Sequence, residues 1–403
     1  MYQDAAVLAV FLLVYSAVSS PVEQSRLSGP ILFASAGLLL GPQALGLLNL
    51  NVSGEVLRTL AEATLALVLF TDAANADFST VRRNVRIPER LLLIGLPLTI
   101  VLGFLLAEVV FPGFDPLELA LLAAMLAPTD AALGKPVVTN SDVPATMREA
   151  LNVESGLNDG ICVPVVLILL GLAVGTRIEG QTMTHMVRVV AEQIGIGLVV
   201  GLALTGCAAL LLRTAVKLNW ISENWMEVPA VALATACFAT AQTIGGSGFI
   251  ASFAGGLMVS WLAPRRKHEL LRGAESIGEM LAFATWVVFG TIALGQLAGR
   301  LTFSVVLYAV LSLTVIRMLP VLLSLVGTDM SIAQRLFIGW FGPRGLASIV
   351  FGILVFDEHL PGNDTLMVVV VCTVLLSVIA HGVTANPLVA ALGARKSVTV
   401  HEG

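Results

Sequence analysis

Long apolar runs follow one another along almost the entire chain, and they restrict the fold more than any other feature of the sequence. They extend from about residue 4 to about residue 393, and most are about 18 to 29 residues long, enough to cross a hydrocarbon core about 30 Å thick as helices. Only 12% of the 403 residues are charged and the mean hydropathy is +0.92, whereas soluble domains carry about 25% charged residues. The chain is therefore predicted to be an all-α polytopic membrane protein, with the lipid bilayer as a partner and no nucleic acid.

The polar residues, glycines and prolines between these runs predict thirteen transmembrane helices. The ninth is the weakest, because it is short and rich in glycine. The predicted spans are about 4–18, 30–48, 55–77, 89–111, 117–139, 147–175, 187–212, 227–244, 249–261, 273–297, 301–326, 332–356 and 365–392.

The distribution of Lys and Arg predicts the orientation of these helices. If the amino terminus lies outside, fifteen of the 22 basic residues fall on inner loops, ends or the tail. Short cytoplasmic loops carry an excess of Lys and Arg. We therefore expect a multi-pass protein of the cell membrane with its amino terminus outside and its carboxyl terminus in the cytoplasm.

The sixth predicted helix contains Glu154-Ser155-Gly156-Leu157-Asn158-Asp159-Gly160 in an otherwise apolar setting. A charged side chain near the bilayer centre costs several kcal/mol, about 3 on insertion scales, unless it has a partner or faces a cavity, which makes it a candidate for function. Ser155 and Asp159 are four residues apart and share one helix face. Gly156 and Gly160 give the same helix a small-residue surface for close helix packing. This stretch is therefore predicted to be a binding site.

Two further helices carry polar interruptions at the depth expected for Asp159. Helix five contains Pro128-Thr129-Asp130 and helix twelve contains Gly342-Pro343-Arg344-Gly345. Proline removes a backbone hydrogen bond, and such breaks are tolerated in a membrane where the freed groups line a polar cavity. Helices one to six and eight to thirteen are predicted to form two inverted six-helix repeats, with broken helices five and twelve crossing at the midplane.

The polar residues expected at this level are rich in oxygen and lack His and Cys, which suits a hard monovalent cation and not zinc or copper. They are Thr129, Asp130, Ser155, Asn158 and Asp159. Burial disfavours the charged form of a carboxyl group, so a proton and a cation can compete for one aspartate. No cofactor is expected. Alternatively, Asp130 and Asp159 cap the broken helices and bind no ion.

Four charged or titratable side chains inside predicted helices have other expected roles. Glu154 and Arg317 have similar expected depths and are predicted to form a buried ion pair, which would leave neither charge alone. Arg344 lies beside opposed half-helix ends and is predicted to neutralise them, with binding of an anionic substrate as the alternative. His381 is interpreted as a histidine satisfied by a neighbour, with pH sensing as the other interpretation.

The combined motifs resemble the first family of monovalent cation:proton antiporters, specifically the prokaryotic NhaP-type branch related to animal sodium/proton exchangers. The resemblance rests on the three stretches above, on Gly339-Trp340-Phe341 before the third, and on Gly248-Phe249-Ile250-Ala251 before Gly255-Gly256-Leu257. It covers almost the whole chain. It implies electroneutral exchange of Na⁺ or Li⁺ for H⁺, a role in pH homeostasis, and Na⁺ held by Asp159, Asp130, Ser155 and Thr129. Asp159 would carry the cation or the proton.

The resemblance also implies a homodimer with elevator-type alternating access. Residues 1–88 (helices one to three) and 227–298 (helices eight to ten) would form a dimerising scaffold. Residues 89–176 (helices four to six) and 299–393 (helices eleven to thirteen) would form a moving core. Residues 187–213 would form the connecting helix seven, and 394–403 a short cytoplasmic tail.

Three alternatives remain open at this point. One is a potassium/proton antiporter of the same fold, because selectivity between Na⁺ and K⁺ depends on cavity geometry. Another is an organic-anion/sodium symporter in which Arg344 binds the substrate. The third is an intramembrane aspartyl protease, but Asn158 precedes Asp159 where those enzymes need glycine, and their Pro-Ala-Leu segment is missing. We therefore expect a transporter and not an enzyme.

Overall fold

The computed structural model describes residues 2–23, 28–49, 54–76, 86–140, 142–175, 183–222, 225–263 and 267–401. All regular elements in these ranges are helices. They are α1 (Tyr2–Glu23), α2 (Gly29–Leu40), α3 (Gly54–Asn75), α4 (Arg86–Arg90), a π-helical turn (Leu91–Gly95), α5 (Leu96–Val110), α6 (Pro116–Met125), α7 (Ala131–Val138), α8 (Ala145–Gly175), α9 (Met183–Lys217), α10 (Val228–Thr243), α11 (Gly248–Leu262), α12 (Lys267–Leu297), α13 (Phe303–Leu313), α14 (Val315–Ser324), α15 (Ile332–Trp340), α16 (Leu346–Asp357) and α17 (Asn363–His401).

The helices have the length and surface of membrane spans. Seven helical stretches of the described residues are long and apolar enough to cross a bilayer, and five apolar helices are shorter. Large apolar side chains such as Leu13 (72% exposed) and Val109 (76% exposed) point outward, which suits lipid and would be unusual on a soluble protein. The protein is therefore a multi-pass, all-helical membrane protein. The number of thirteen crossings and the inverted repeat remain predictions.

Both expected helix breaks are present. The helix predicted at 117–139 ends as α6 at Met125 and resumes as α7 at Ala131. The helix predicted at 332–356 ends as α15 at Trp340 and resumes as α16 at Leu346. The intervening backbone at each position is extended or irregular and contains the proline that the sequence places there.

Two other interruptions were not predicted. A π-helical turn precedes Pro97 in the fourth helix, where proline cannot donate to the carbonyl one turn earlier. The eleventh helix is divided at Thr314, whose φ and ψ are −109° and −92°. Despite these interruptions, Arg86–Val110 and Phe303–Ser324 are each long and apolar enough to cross a bilayer.

The chain divides into two compact units, of which the first comprises residues 1–57, 86–155 and 283–403. One apolar cluster of this unit joins α7, α8, α14, α15 and α17 through side chains such as Val137, Met147, Val321, Phe337 and Val389. This cluster contains side chains from the second half of one broken helix and from the first half of the other. The first unit therefore packs the two breaks against neighbouring helices.

The second unit comprises residues 58–85 and 156–282. Within it, α11 packs closely on α3, since a Cβ atom on Gly256 would lie 2.2 Å from the carbonyl oxygen of Phe70. Ser260 Oγ also donates to the carbonyl of Ala76 at 2.5 Å. The two units do not follow the expected boundaries of scaffold and core, so that division remains a prediction.

Several expectations concern residues at or beyond the described ranges. Five of the fifteen basic residues counted on the inner side lie outside the described residues, namely Arg26, Arg82, Arg83, Arg265 and Arg266. The helix α17 continues through residues 394–401, which were expected to form the tail.

Candidate cation and proton site

Asp130 joins the two broken helices of the first unit. Its backbone N–H donates to the carbonyl of Pro343 at 2.8 Å. Its carboxylate Oδ1 accepts from the backbone N–H groups of Ala132 (2.7 Å) and Leu133 (3.3 Å) at the start of α7, and Oδ2 accepts from that of Leu346 (2.9 Å) at the start of α16. A negative charge is favourable at helix N-termini. One carboxylate therefore caps two half-helices.

The break in the second of these helices admits the carboxylate because Gly345 has no side chain. A Cβ atom there would lie 2.0 Å from Asp130 Oδ2. By these contacts Asp130 caps the half-helices, a role that the sequence left open as an alternative. A carboxylate has about four acceptor positions, so three N–H bonds leave capacity for a further ligand. The expected role of Asp130 as a direct cation ligand remains a prediction.

Arg344 lies in the break between α15 and α16 and contacts the break between α6 and α7. It is completely buried, and its Nη1 donates to the carbonyls of Ala127 (2.5 Å) and Pro128 (3.1 Å), just beyond the C-terminal end of α6. These carbonyls lie at the negative end of the helix dipole, where a cation is favourable. These contacts place the guanidinium at backbone carbonyls, and the role of Arg344 in charge compensation remains a prediction.

Thr129 and Ser155 lie together in the first unit. Ser155 Oγ on α8 donates to the backbone carbonyl of Thr129 at 2.5 Å, and both residues are buried. Two of the oxygen-bearing residues expected at the ion site are thus in contact, and Asp130 follows Thr129 in the chain. The first unit therefore contains Thr129, Asp130 and Ser155 as a local oxygen-rich group.

Asn158 and Asp159 belong to the second unit and are buried, with exposed fractions of 0% and 7%. They lie on α8, which continues unbroken to Gly175. A Cβ atom on Gly160 would lie 2.2 Å from the ring of Phe253, so the small-residue surface predicted on this helix does accept a close neighbour. The grouping of Asp159 with the oxygens of the first unit remains a prediction.

Glu154 and Arg317 form a buried, bidentate ion pair. The distances are 2.5 Å from Nη1 to Oε1 and 2.8 Å from Nη2 to Oε2, and the two side chains are 2% and 1% exposed. The guanidinium also lies against the break in the twelfth predicted helix, since a Cβ atom on Gly342 would be 2.3 Å from Arg317 Nε. The pair therefore connects α8, α14 and the broken helix within the first unit.

Ser377 and His381 on α17 satisfy backbone groups on both sides of the same break, a role that the sequence did not reveal for Ser377. Ser377 Oγ accepts from the backbone N–H of Arg344 at 2.7 Å. His381 Nε2 lies 2.8 Å from the carbonyl oxygen of Trp340, the last residue of α15, and its ring stacks on the Trp340 indole. The available signal was their spacing: four residues apart, they share a helix face.

We expect Glu154→Ala and Arg317→Ala each to destabilise the folded protein by roughly 3–5 kcal/mol, because each leaves one buried charge without its partner. The melting temperature of the purified variants in detergent measures this loss. Arg188→Ala is the matched control, since its partner Glu192 is exposed on the surface of α9. Wild-type melting of both core variants would contradict the stabilising role of the pair.

We expect His381→Ala to destabilise the protein by roughly 0.5–1.5 kcal/mol, because it removes one of the two hydrogen bonds that the carbonyl of Trp340 accepts, the other coming from the backbone N–H of Gly342. Thermal unfolding measures the change, and His185→Ala is the control because His185 is exposed on α9. Equal melting temperatures for His381→Ala and wild type would show that His381 does not support the break.

Comparison with known proteins gives the family. Residues 7–391 match the family model described as "Sodium/hydrogen exchanger, transmembrane". The K(+)/H(+) antiporter NhaP of Alkalimonas amylolytica is 27% identical over 379 residues, which cover 91% of this chain and 64% of the relative. The Na(+)/H(+) antiporter 2 of Zygosaccharomyces rouxii is 25% identical over 386 residues, covering 89% of this chain and 47% of that protein. The chain thus spans less than two thirds of the length of these curated relatives.

The fold is also similar to a solved structure. The sodium proton antiporter MjNhaP1 from Methanocaldococcus jannaschii at pH 8 has a TM-score of 0.74 and 20% identity, and the match covers 94% of this chain and 99% of that chain. At this identity the likeness concerns the fold alone. Because the family model matches nearly the full length, the chain belongs to the transmembrane sodium/hydrogen exchanger family, with homologues among the NhaP-type antiporters.

Proposed function

We propose that this protein is a secondary transporter that exchanges a monovalent cation, Na⁺ or Li⁺, for a proton across the cell membrane. The observation that carries the proposal is Asp159, a carboxyl group that is 7% exposed on α8, one of the helices long and apolar enough to span a bilayer. Ionisable residues are costly in such helices and are kept chiefly where they bind or move charge. The cation and the proton compete for this one carboxyl group.

The oxygen-bearing residues of the first unit support a cation as the ligand. The Thr129 carbonyl, the Ser155 hydroxyl and the Asp130 carboxylate are hard ligands of the kind that Na⁺ prefers. In the proposed site they hold Na⁺ together with Asp159, and Asn158, which precedes Asp159 in the sequence, is a further candidate ligand. Arg344 donates to backbone carbonyls. These contacts favour charge compensation at the broken helix over the binding of an anionic substrate, as in an organic-anion symporter.

The sequence around Asp159 supports an electroneutral exchange. Asn158 occupies the preceding position and carries no charge. If the carboxylate of Asp159 binds either one proton or one monovalent cation, the loaded site has the same net charge when it moves in either direction across the membrane. One cation is then exchanged for one proton, and the membrane potential does not drive the cycle.

The hydrogen bonds of the first unit support movement of the broken helices as one body. Asp130 bonds α7 to α16, Arg344 bonds the residues after α6 to α17, and Ser155 bonds α8 to the first break. An elevator-type mechanism needs such a rigid group, which carries the ion between the two faces of the membrane. We propose this mechanism, and a homodimer as the assembly, from the family resemblance.

A potassium/proton antiporter is the second candidate. It is favoured by relatives named K(+)/H(+) antiporters, such as NhaP of Alkalimonas amylolytica and NhaP2 of Shewanella sp. (strain ANA-3), which is 25% identical over 386 residues. The same oxygen ligands can hold either ion, and the width of the cavity selects between them. Both candidates share the role of Asp159.

Transport in proteoliposomes tests the proposal and separates the two candidates. The purified protein is reconstituted with an internal pH dye, and Na⁺, Li⁺ and K⁺ are added in turn, with and without an imposed membrane potential. We expect the dye to report proton movement on addition of Na⁺ and Li⁺, at rates that do not change with the potential. A response to K⁺ alone would favour the second candidate.

Two other outcomes would overturn parts of the proposal. Rates that follow the imposed potential would exclude electroneutral exchange. No dye response to any of the three cations, in vesicles shown to contain folded protein, would exclude antiport itself.

A further inference from the structure

A cavity of about 520 Å³ lies within the second unit, among α9, α10, α11 and the start of α12. Its volume falls within the range of roughly 300–1,000 Å³ in which proteins hold small ligands. Apart from Thr205, Arg213 and Lys217, the lining side chains are apolar, among them Ala208, Leu212, Val216, Leu233, Val259 and Leu262. An apolar interior combined with charge at one end suits an amphipathic ligand.

The length of the cavity matches one leaflet of a bilayer. Thr205 and Lys217 both line it and are twelve residues apart on α9, which is about 18 Å along a helix at 1.5 Å per residue. Half of a hydrocarbon core about 30 Å thick is about 15 Å. An acyl chain that follows α9 inward from the membrane surface would reach the Thr205 end.

The two positive charges lie together at one end of this cavity, near the C-terminus of α9. Arg213 Nη2 donates to the backbone carbonyl of Leu262 at 3.3 Å, which holds the guanidinium across the end of α11. The remaining guanidinium donors and the Lys217 ammonium are available for an anion, because both side chains are exposed. The positive-inside pattern assigns this end to the cytoplasmic leaflet, whose surface is anionic.

Exposed tryptophans also indicate that the charged end of the cavity lies at the membrane surface. Trp220 (72% exposed), Trp225 (65%) and Trp261 (75%) lie just beyond α9, before α10 and at the end of α11. Tryptophan is enriched at the level of the lipid headgroups, where its ring meets apolar and polar surroundings together. Arg213 and Lys217 are thereby expected at the height of lipid phosphates.

We infer that this cavity binds an anionic phospholipid of the inner leaflet. Its phosphate contacts Arg213 and Lys217, and one acyl chain lies along α9 against the apolar wall. The lipid site belongs to the second unit alone and uses none of the residues assigned to ion exchange. A test of lipid binding is therefore independent of the proposed function.

Lipid binding to the purified full chain in detergent tests this inference. Native mass spectrometry measures the apparent Kd of palmitoyl-oleoyl phosphatidylglycerol and of palmitoyl-oleoyl phosphatidylcholine, which have the same acyl chains. We expect the anionic lipid to bind at least tenfold more tightly. The double variant Arg213→Gln/Lys217→Gln should lose most of this preference, since each basic residue near a membrane surface contributes about a factor of five.

Two further variants separate this site from general attraction to the surface. Arg188→Gln removes an exposed charge at the other end of α9 and should leave phosphatidylglycerol binding unchanged. Ala209→Phe fills the cavity without altering charge and should weaken binding. Equal Kd values for the two lipids in the wild-type protein, or an unchanged preference in the double variant, would overturn the inference.

Discussion

Backbone groups that lose their helical partners inside a membrane must find others in the protein, and this requirement organises the first unit. Hydrocarbon offers no water to the N–H and C=O groups freed when a helix is interrupted. The N–H groups at the start of α7 and α16 are bound by the carboxylate of Asp130, and the carbonyls beyond α6 by the guanidinium of Arg344. Opposite charges thus lie at opposite ends of the helix dipoles, where each is favourable.

The same arrangement explains why charges are buried so densely here. Arg344, Arg317 and Glu154 are almost completely inaccessible, yet each contacts a group of complementary charge or dipole. A buried pair is not in itself evidence of stability, although breaking one is costly. The pair Glu154–Arg317 lies beside the break at Gly342, so its loss would also disturb the backbone that Ser377 and His381 support.

Much of this could be predicted from the sequence, because the signals were local or depended on depth. Pro128 and Gly342-Pro343 predict breaks through the chemistry of a single residue. Glu154 and Arg317 could be paired because both fall at similar depths if their helices have the direction that the basic residues predict. The double capping by Asp130 could not be predicted, since its bond to Leu346 joins residues 216 positions apart. The interruption at Thr314 could not be predicted either, because no glycine or proline occupies that position.

The functional account depends on Asp159 as the group that alternates between cation and proton. The most direct measurement is cation-dependent proton flux in proteoliposomes containing Asp159→Asn, compared with Asp142→Asn, an identical change at an exposed aspartate. The account predicts that flux is lost in Asp159→Asn and retained in Asp142→Asn, with both variants folded. Flux in Asp159→Asn at the wild-type rate would contradict it.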